Sequence, residues 1–196
     1  MKKTPDQVQN SQGIEQKLLE RIKLCQLPTL QRRSLPFECY WEDSILIQEQ
    51  KLIFSNQWLG LGRADRLENP GEYEVFQLCG QALVLIRDQD KVLRLYANTC
   101  RHRGAKLLDG AGQCQAISCP FHGWTYALDG NLKYAKTMSE NPNFDFSEYS
   151  LIEYKLNELQ GFLFAFLGNQ PTDLDTQLGN FSELHQPWSL NKLITT

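Results

Sequence analysis

No apolar run in this chain approaches the roughly 18 to 20 residues that a membrane-spanning helix needs, and the longest, Gly161 to Gly168, has the length of one strand. A helical membrane protein is therefore not expected. The opening Met-Lys-Lys continues into Thr4, Pro5, Asp6 and Gln7 without the apolar stretch of a secretory signal, so a cytoplasmic location is expected. Basic residues are neither abundant nor clustered: 20 Lys and Arg stand against 23 Asp and Glu, for a net charge of -3. Such a balance offers no footprint for nucleic acid. Histidine is scarcer still, with 3 in 196 residues, at His102, His122 and His185.

There is no internal repeat and no low-complexity tract. The six cysteines are scattered through a chain well above mini-protein size, without the secretory context in which disulfide frameworks form. Cys25, Cys39, Cys79 and Cys114 are accordingly read as reduced and structural. A hydrophobic content of 41% over this length suits one domain with a core, flanked by extensions.

Residues 1–13 are polar and read as an arm, after which Ile14, Leu18, Ile22 and Cys25 follow helical spacing until Pro28. Asp43 or Ser44 can cap a second helix reaching to about Trp58, with Ile45, Leu52 and Phe54 turned inward. From Tyr73 onward, short Val, Leu, Ile, Tyr and Phe runs alternate with turn residues, the texture of an antiparallel sheet. Strands are predicted at 73–79, 82–87, 92–97, 115–118, 124–128, 131–134, 151–157 and 161–167. Asp129-Gly130 is the strongest hairpin signal, with weaker turns at Cys79-Gly80 and Gln89-Asp90. Beyond Gly168 the chain turns polar, with Phe181, Leu184, Trp188 and Leu190 as possible anchors.

Chemistry concentrates in two short stretches, Cys100-Arg-His102-Arg-Gly and Cys119-Pro-Phe-His122-Gly-Trp. The spacing is C-x-H, sixteen residues, then C-x-x-H, and it takes up two of the three histidines. Each stretch mixes one thiolate with one imidazole. That is the pattern of a Rieske [2Fe-2S] centre, in which two cysteines hold one iron and two histidines the other, so neither stretch completes an iron by itself. Two ferric ions, two sulfides and two thiolates sum to zero charge, which makes an added electron easier to accept than on an all-cysteine cluster. Cys100, His102, Cys119 and His122 are thus the candidate cluster and metal ligands, with no catalytic residue assigned. A Cys2His2 set also suits tetrahedral zinc, although zinc fingers usually pair cysteine with cysteine and histidine with histidine on separate segments. Trp124 and Phe121 are candidates for shielding the site from water, or simply for core packing.

These stretches resemble the ligand loops of the Rieske non-haem iron oxygenases, a family that includes ring-hydroxylating oxygenase large subunits and choline and glycine betaine monooxygenase-like proteins. The likeness extends through Thr125-Tyr-Ala-Leu-Asp-Gly130 and upstream to Ile53-Phe54, Trp58, Arg63 and Pro70-Gly-Glu-Tyr73, covering roughly residues 38–168. It implies a mainly β fold: a Rieske iron-sulfur domain of antiparallel sheets with a cluster-binding loop sub-domain, and short helices at the N-terminus. The implied organisation is an arm and helix over 1–37, the Rieske domain over 38–168, and a polar tail or linker over 169–196. Electrons would come from a reductase or ferredoxin and pass to an oxygenase catalytic domain or subunit, with a homo-oligomer as one arrangement the resemblance allows. In that family a mononuclear non-haem iron is held by two histidines and a carboxylate. Once His102 and His122 are taken only His185 remains, so this iron is expected in a separate domain and His185 is read as a packing or surface residue. The alternative reading is a stand-alone Rieske ferredoxin-like carrier.

Overall fold

The structure is a computed structural model that describes residues 16–136, 138 and 140–195. The chain divides into two compact units, the boundary falling between Glu49 and Gln50. Ile14, counted above in the first helix, lies outside the described residues.

In the first unit, residues 16–23 form helix α1, followed by a 3-10 turn at Leu24–Gln26 that stops just before Pro28. The Arg21 guanidinium meets Glu38 at 2.7 Å, and the Arg33 amide donates to the Leu24 carbonyl at 3.2 Å. Helix α2, Asp43–Leu52, starts where expected but buries none of its residues. The inward packing expected of Ile45, Leu52 and Phe54 is not found: Ile45 is half-buried, and Leu52 and Phe54 are exposed. The helix also ends six residues before Trp58. Ser55 Oγ donates to Gln50 O, and the Asn56 amide donates to Lys51 O and Leu52 O, so nearby side chains take up the carbonyls that a further turn would have used.

Trp58 instead opens a strand that the sequence reading did not contain. Among the described residues, the second unit has ten strands: β1 Trp58–Arg63, β2 Glu72–Leu78, β3 Gln81–Arg87, β4 Leu93–Ala97, β5 Ala111–Gln113, β6 Ile117–Ser118, β7 Thr125–Tyr126, β8 Leu132–Tyr134, β9 Glu153–Leu159 and β10 Phe162–Phe166. Seven form one antiparallel sheet in the order β1-β10-β9-β4-β3-β2-β5, and β6-β7-β8 form a second. The three expected turns are present. Cys79 and Gly80 both take positive φ, 50° and 75°, between the paired Leu78 and Gln81. Between β3 and β4 the buried Asp88 carboxylate accepts from the Asp90 and Val92 amides and from Arg94 Nε at 2.6 Å, so burial leaves no charge unpaired. Ala127 N–H bonds to Asn131 O at 2.9 Å around Asp129-Gly130.

Alternation along β3 creates a core on each face of the large sheet, because successive strand side chains point to opposite sides. Leu83 and Leu85 face Leu95, Leu163 and Ala165 on one side. Val84 and Ile86 face Tyr96, Ile117, Trp124, Tyr126 and Leu128 on the other, and Cys100 and Cys119 belong to that same cluster.

The segment after β10 folds back onto β1. Helices α3, Leu174–Leu178, and α4, Phe181–His185, follow in turn, and Leu174 is buried beside Trp58 and Phe166. The Gln177 amide both accepts from Trp58 N–H at 2.8 Å and donates to Trp58 O at 3.0 Å. The Trp58 indole donates to Thr172 O at 2.6 Å, and Arg63 donates to the Leu190 and Leu193 carbonyls. His185 packs against Phe181 and Trp188, its Nδ1 at 2.7 Å from Phe181 O. Among the described residues, no helix is long and apolar enough to cross a membrane.

Candidate metal centre

Two loops with one backbone plan build the site. In the first, Cys100 N–H bonds to Ala105 O at 2.7 Å, and Gly104 N–H bonds back to Cys100 O at 3.0 Å. In the second, Cys119 N–H bonds to Trp124 O at 2.8 Å, and Gly123 N–H bonds back to Cys119 O at 3.1 Å. Each loop thus runs from a cysteine to a glycine four residues on, and Gly104 and Gly123 take φ of 74° and 70°, a conformation that a side chain would strain. Histidine comes two residues after cysteine in the first loop and three after it in the second.

The loops carry all four sequence-predicted residues to one cavity of about 490 Å³, lined by Cys100, His102, Cys119 and His122 with Arg103, Ala105, Lys106 and Phe121. Both thiols are buried, and none of the six cysteines forms a disulfide. The two imidazoles meet edge to face, with ring centroids 4.8 Å apart. His102 also stacks on Trp124 at 4.8 Å and 10° between planes. Trp124, itself buried, is edged by Phe144 and Tyr149, which explains how the His102 ring is held. Phe121 lines the cavity from the surface and is itself 73% exposed.

The donor set fits the cluster that the spacing implies. His102 Nδ1 is buried and has no hydrogen-bond partner, the condition of a ring nitrogen reserved for a metal. Burial, together with the charges of Arg103 and His122, holds the His102 pKa below the usual imidazole value and favours the neutral ligand form. Among the described residues, no three His, Cys, Asp or Glu side chains converge as ligands of one ion. A larger cavity of about 700 Å³, lined by Pro70, Gln89, Gln113, Cys114 and Gln115, offers one thiol and three amides and no comparable donor set.

Tyr126 is a further residue of the site, one that the ligand spacing does not mark. Its hydroxyl lies 3.4 Å from Cys100 Sγ and accepts the Arg101 amide proton at 3.0 Å. Either the hydroxyl or the thiol can donate in this contact, whereas a thiolate at Cys100 could only accept. Burial and the contact with Cys100 raise the phenol pKa well above its ordinary value, so it remains a donor. Tyr126 follows the second cysteine by seven residues yet serves the first, a pairing that only the β6–β7 hairpin reveals.

Comparison with known proteins agrees with this geometry. Residues 57–151 match the Rieske [2Fe-2S] domain. The chain is 34% identical over 146 residues to the carnitine monooxygenase oxygenase subunit of Escherichia coli (strain K12), covering 74% of this chain and 39% of that protein. It is 30% identical over 162 residues to the glycine betaine monooxygenase oxygenase subunit of Chromohalobacter salexigens, covering 82% and 36%. The apo structure of a quaternary ammonium Rieske monooxygenase superposes with a TM-score of 0.75 at 32% identity, over 82% of this chain and 48% of the other. The chain therefore spans less than half the length of the relatives it matches. Residues 57–151 belong to the Rieske [2Fe-2S] domain family, and the chain is homologous to part of the oxygenase subunits of Rieske monooxygenases.

Proposed function

We propose that Cys100, His102, Cys119 and His122 hold the [2Fe-2S] cluster and that the domain passes single electrons from a reductase or ferredoxin to the catalytic part of an oxygenase. The observation that carries this reading is the convergence of two buried thiols and two imidazoles, one with an orphaned Nδ1, on one cavity from two loops of the same plan. When bound, such a cluster accepts one electron at a potential of roughly -150 to +300 mV, against about -400 mV for plant-type clusters.

The chain's own residues prepare the site for that exchange. Cys100 and Cys119 sit in the apolar core, which keeps water from their sulfurs. Trp124 fixes the His102 ring, and the Tyr126 hydroxyl stands 3.4 Å from Cys100 Sγ, where a thiolate would accept its hydrogen bond. His122 and Phe121 lie at the surface, and Arg103 and Lys106 on the same cavity are exposed, so the imidazole edge faces a partner through an apolar and cationic rim. A partner with an acidic surface suits it. The mononuclear iron of the oxygenase would lie outside this chain, and a cytoplasmic setting suits both the reductant and the unpaired cysteines.

Purified protein is expected to be red-brown, with two irons and two sulfides per chain and a reduced-state EPR signal of low average g. Colourless protein loaded with zinc would overturn the assignment. So would visible and EPR spectra left unchanged by both Cys119→Ser and His122→Cys.

A further inference from the structure

Asn98 stands two residues before the first ligand, at the point where β4 gives way to the Cys100 loop. Its side chain is 1% exposed, and both ends of its amide are in use. Nδ2 donates to Leu108 O at 2.8 Å, and Oδ1 accepts from Leu108 N–H at 2.9 Å. The backbone N–H of Asn98 is already committed to Ala82 O on β3, at 2.8 Å. The side chain therefore stands in for a strand partner, giving Leu108 the paired donor and acceptor that a neighbouring backbone would otherwise supply.

This closes a ring. Going inward from Asn98 and Leu108, the next rungs are the antiparallel bridge between Thr99 and Lys106 and the bond from Cys100 N–H to Ala105 O. Cys100 and His102 both lie inside. Among the described residues, both backbone hydrogen bonds of Leu108 go to this one side chain. Leu107, next to it, is buried in the core cluster that contains Cys100, Cys119 and Trp124. A shift of the return leg would move that packing and, through the rungs, the first cysteine and histidine relative to the second pair.

We infer that Asn98 is a positioning residue for the cluster: its amide sets the register of the first ligand loop against the sheet and so fixes Cys100 and His102 opposite Cys119 and His122. The side-chain requirement is narrow. Aspartate presents a second acceptor to the Leu108 carbonyl, alanine leaves two partly buried backbone groups unpaired, and glutamine overshoots by one methylene. The inference rests on the ligand assignment proposed above.

The test uses the full chain purified with its cluster, comparing wild type, Asn98→Ala and Asn98→Asp. Tyr154→Phe serves as a control that removes a half-buried hydrogen bond, to Gln81, far from the ligand loops in sequence. The readouts are iron and sulfide per chain, the reduced-state EPR spectrum, and the rate at which visible absorbance bleaches under excess iron chelator. Both Asn98 variants are expected to bleach at least tenfold faster than wild type with shifted or broadened g values, while Tyr154→Phe matches wild type. Bleaching within twofold of wild type and an unchanged EPR spectrum would overturn the role of Asn98. Equal acceleration in Tyr154→Phe would do so too, because it would mark a general loss of stability.

If neither Asn98 variant yields folded protein, hydrogen exchange in the wild type decides. Protection across 106–110 equal to that of β4 supports the assignment, and exchange at the rate of an open loop overturns it. Wild-type protein without iron or sulfide would instead bring down the ligand assignment, and this inference with it.

Discussion

The loop from Cys100 to Ala105 and the loop from Cys119 to Trp124 repeat the same hydrogen bonds, but different structures stand behind them. The second leaves β6 and returns directly into β7, so its two ends are paired as Ser118 with Thr125 and Ile117 with Tyr126. Its last residue is Trp124, one of the largest buried side chains in the protein. The first loop leaves β4 and returns as irregular chain, held by one isolated bridge and by the Asn98 amide. One ligand pair thus rests on a hairpin and an apolar core, and the other on a few specific polar contacts. Apolar burial is additive and tolerant, whereas buried hydrogen bonds are directional and costly to leave half-made.

The largest effect should come from removing a thiolate. Cys119→Ser and Cys100→Ser are each expected to abolish the cluster, with iron per chain falling from two toward zero. Retention of a normal cluster by either variant would mean that the loops are not equally required. Next is Trp124→Ala, which removes a buried aromatic and the stack on His102. A loss of about 3 to 5 kcal/mol is expected in denaturant unfolding, as for other buried aromatics. A much smaller loss would show that the second loop does not depend on its core.

Stripping the metal with a chelator should separate the loops without mutation. Hydrogen exchange is expected to rise more across 101–104 than across 120–123, because the second loop keeps its hairpin. The reverse order would refute the contrast drawn between them. The smallest effect should follow Tyr126→Phe, which leaves the packing in place and removes the hydroxyl from which a Cys100 thiolate would accept a hydrogen bond. Added negative charge then lacks one stabilising donor, so the midpoint potential should fall, by roughly 60 mV if the donor is worth a tenfold change in a one-electron equilibrium. An unchanged or raised potential in a voltammetric titration would contradict that role.

Much of the site could be read from residue order. The mixed Cys and His spacing, together with a histidine count of 3, pointed to four residues that the fold does bring to one cavity. Strands β2, β3 and β4 were also legible, since Val84, Ile86, Leu83 and Leu85 belong to a continuous apolar run between clear turns. Strand β1 was not. Trp-Leu-Gly-Leu-Gly-Arg has two glycines in six residues, and it becomes a strand because β10 offers a complete edge from Phe162 to Phe166. Helix α2 was overextended for the converse reason: the signal that stops it lies in side chains bonding backward, at Ser55 and Asn56, and not in a proline or glycine.

The sequence by itself determined the ligand types, their spacing and the two glycines that let each loop turn, because these are properties of residues close together in the chain. Only the tertiary structure decided which supports each loop receives. Tyr126 reaches a cysteine 26 positions back, and Asn98 pairs with a residue 10 positions ahead. Trp58 is held by Gln177 from 119 positions away. Such pairings depend on register between strands and on which face of the sheet a side chain meets. Neither is written in local composition.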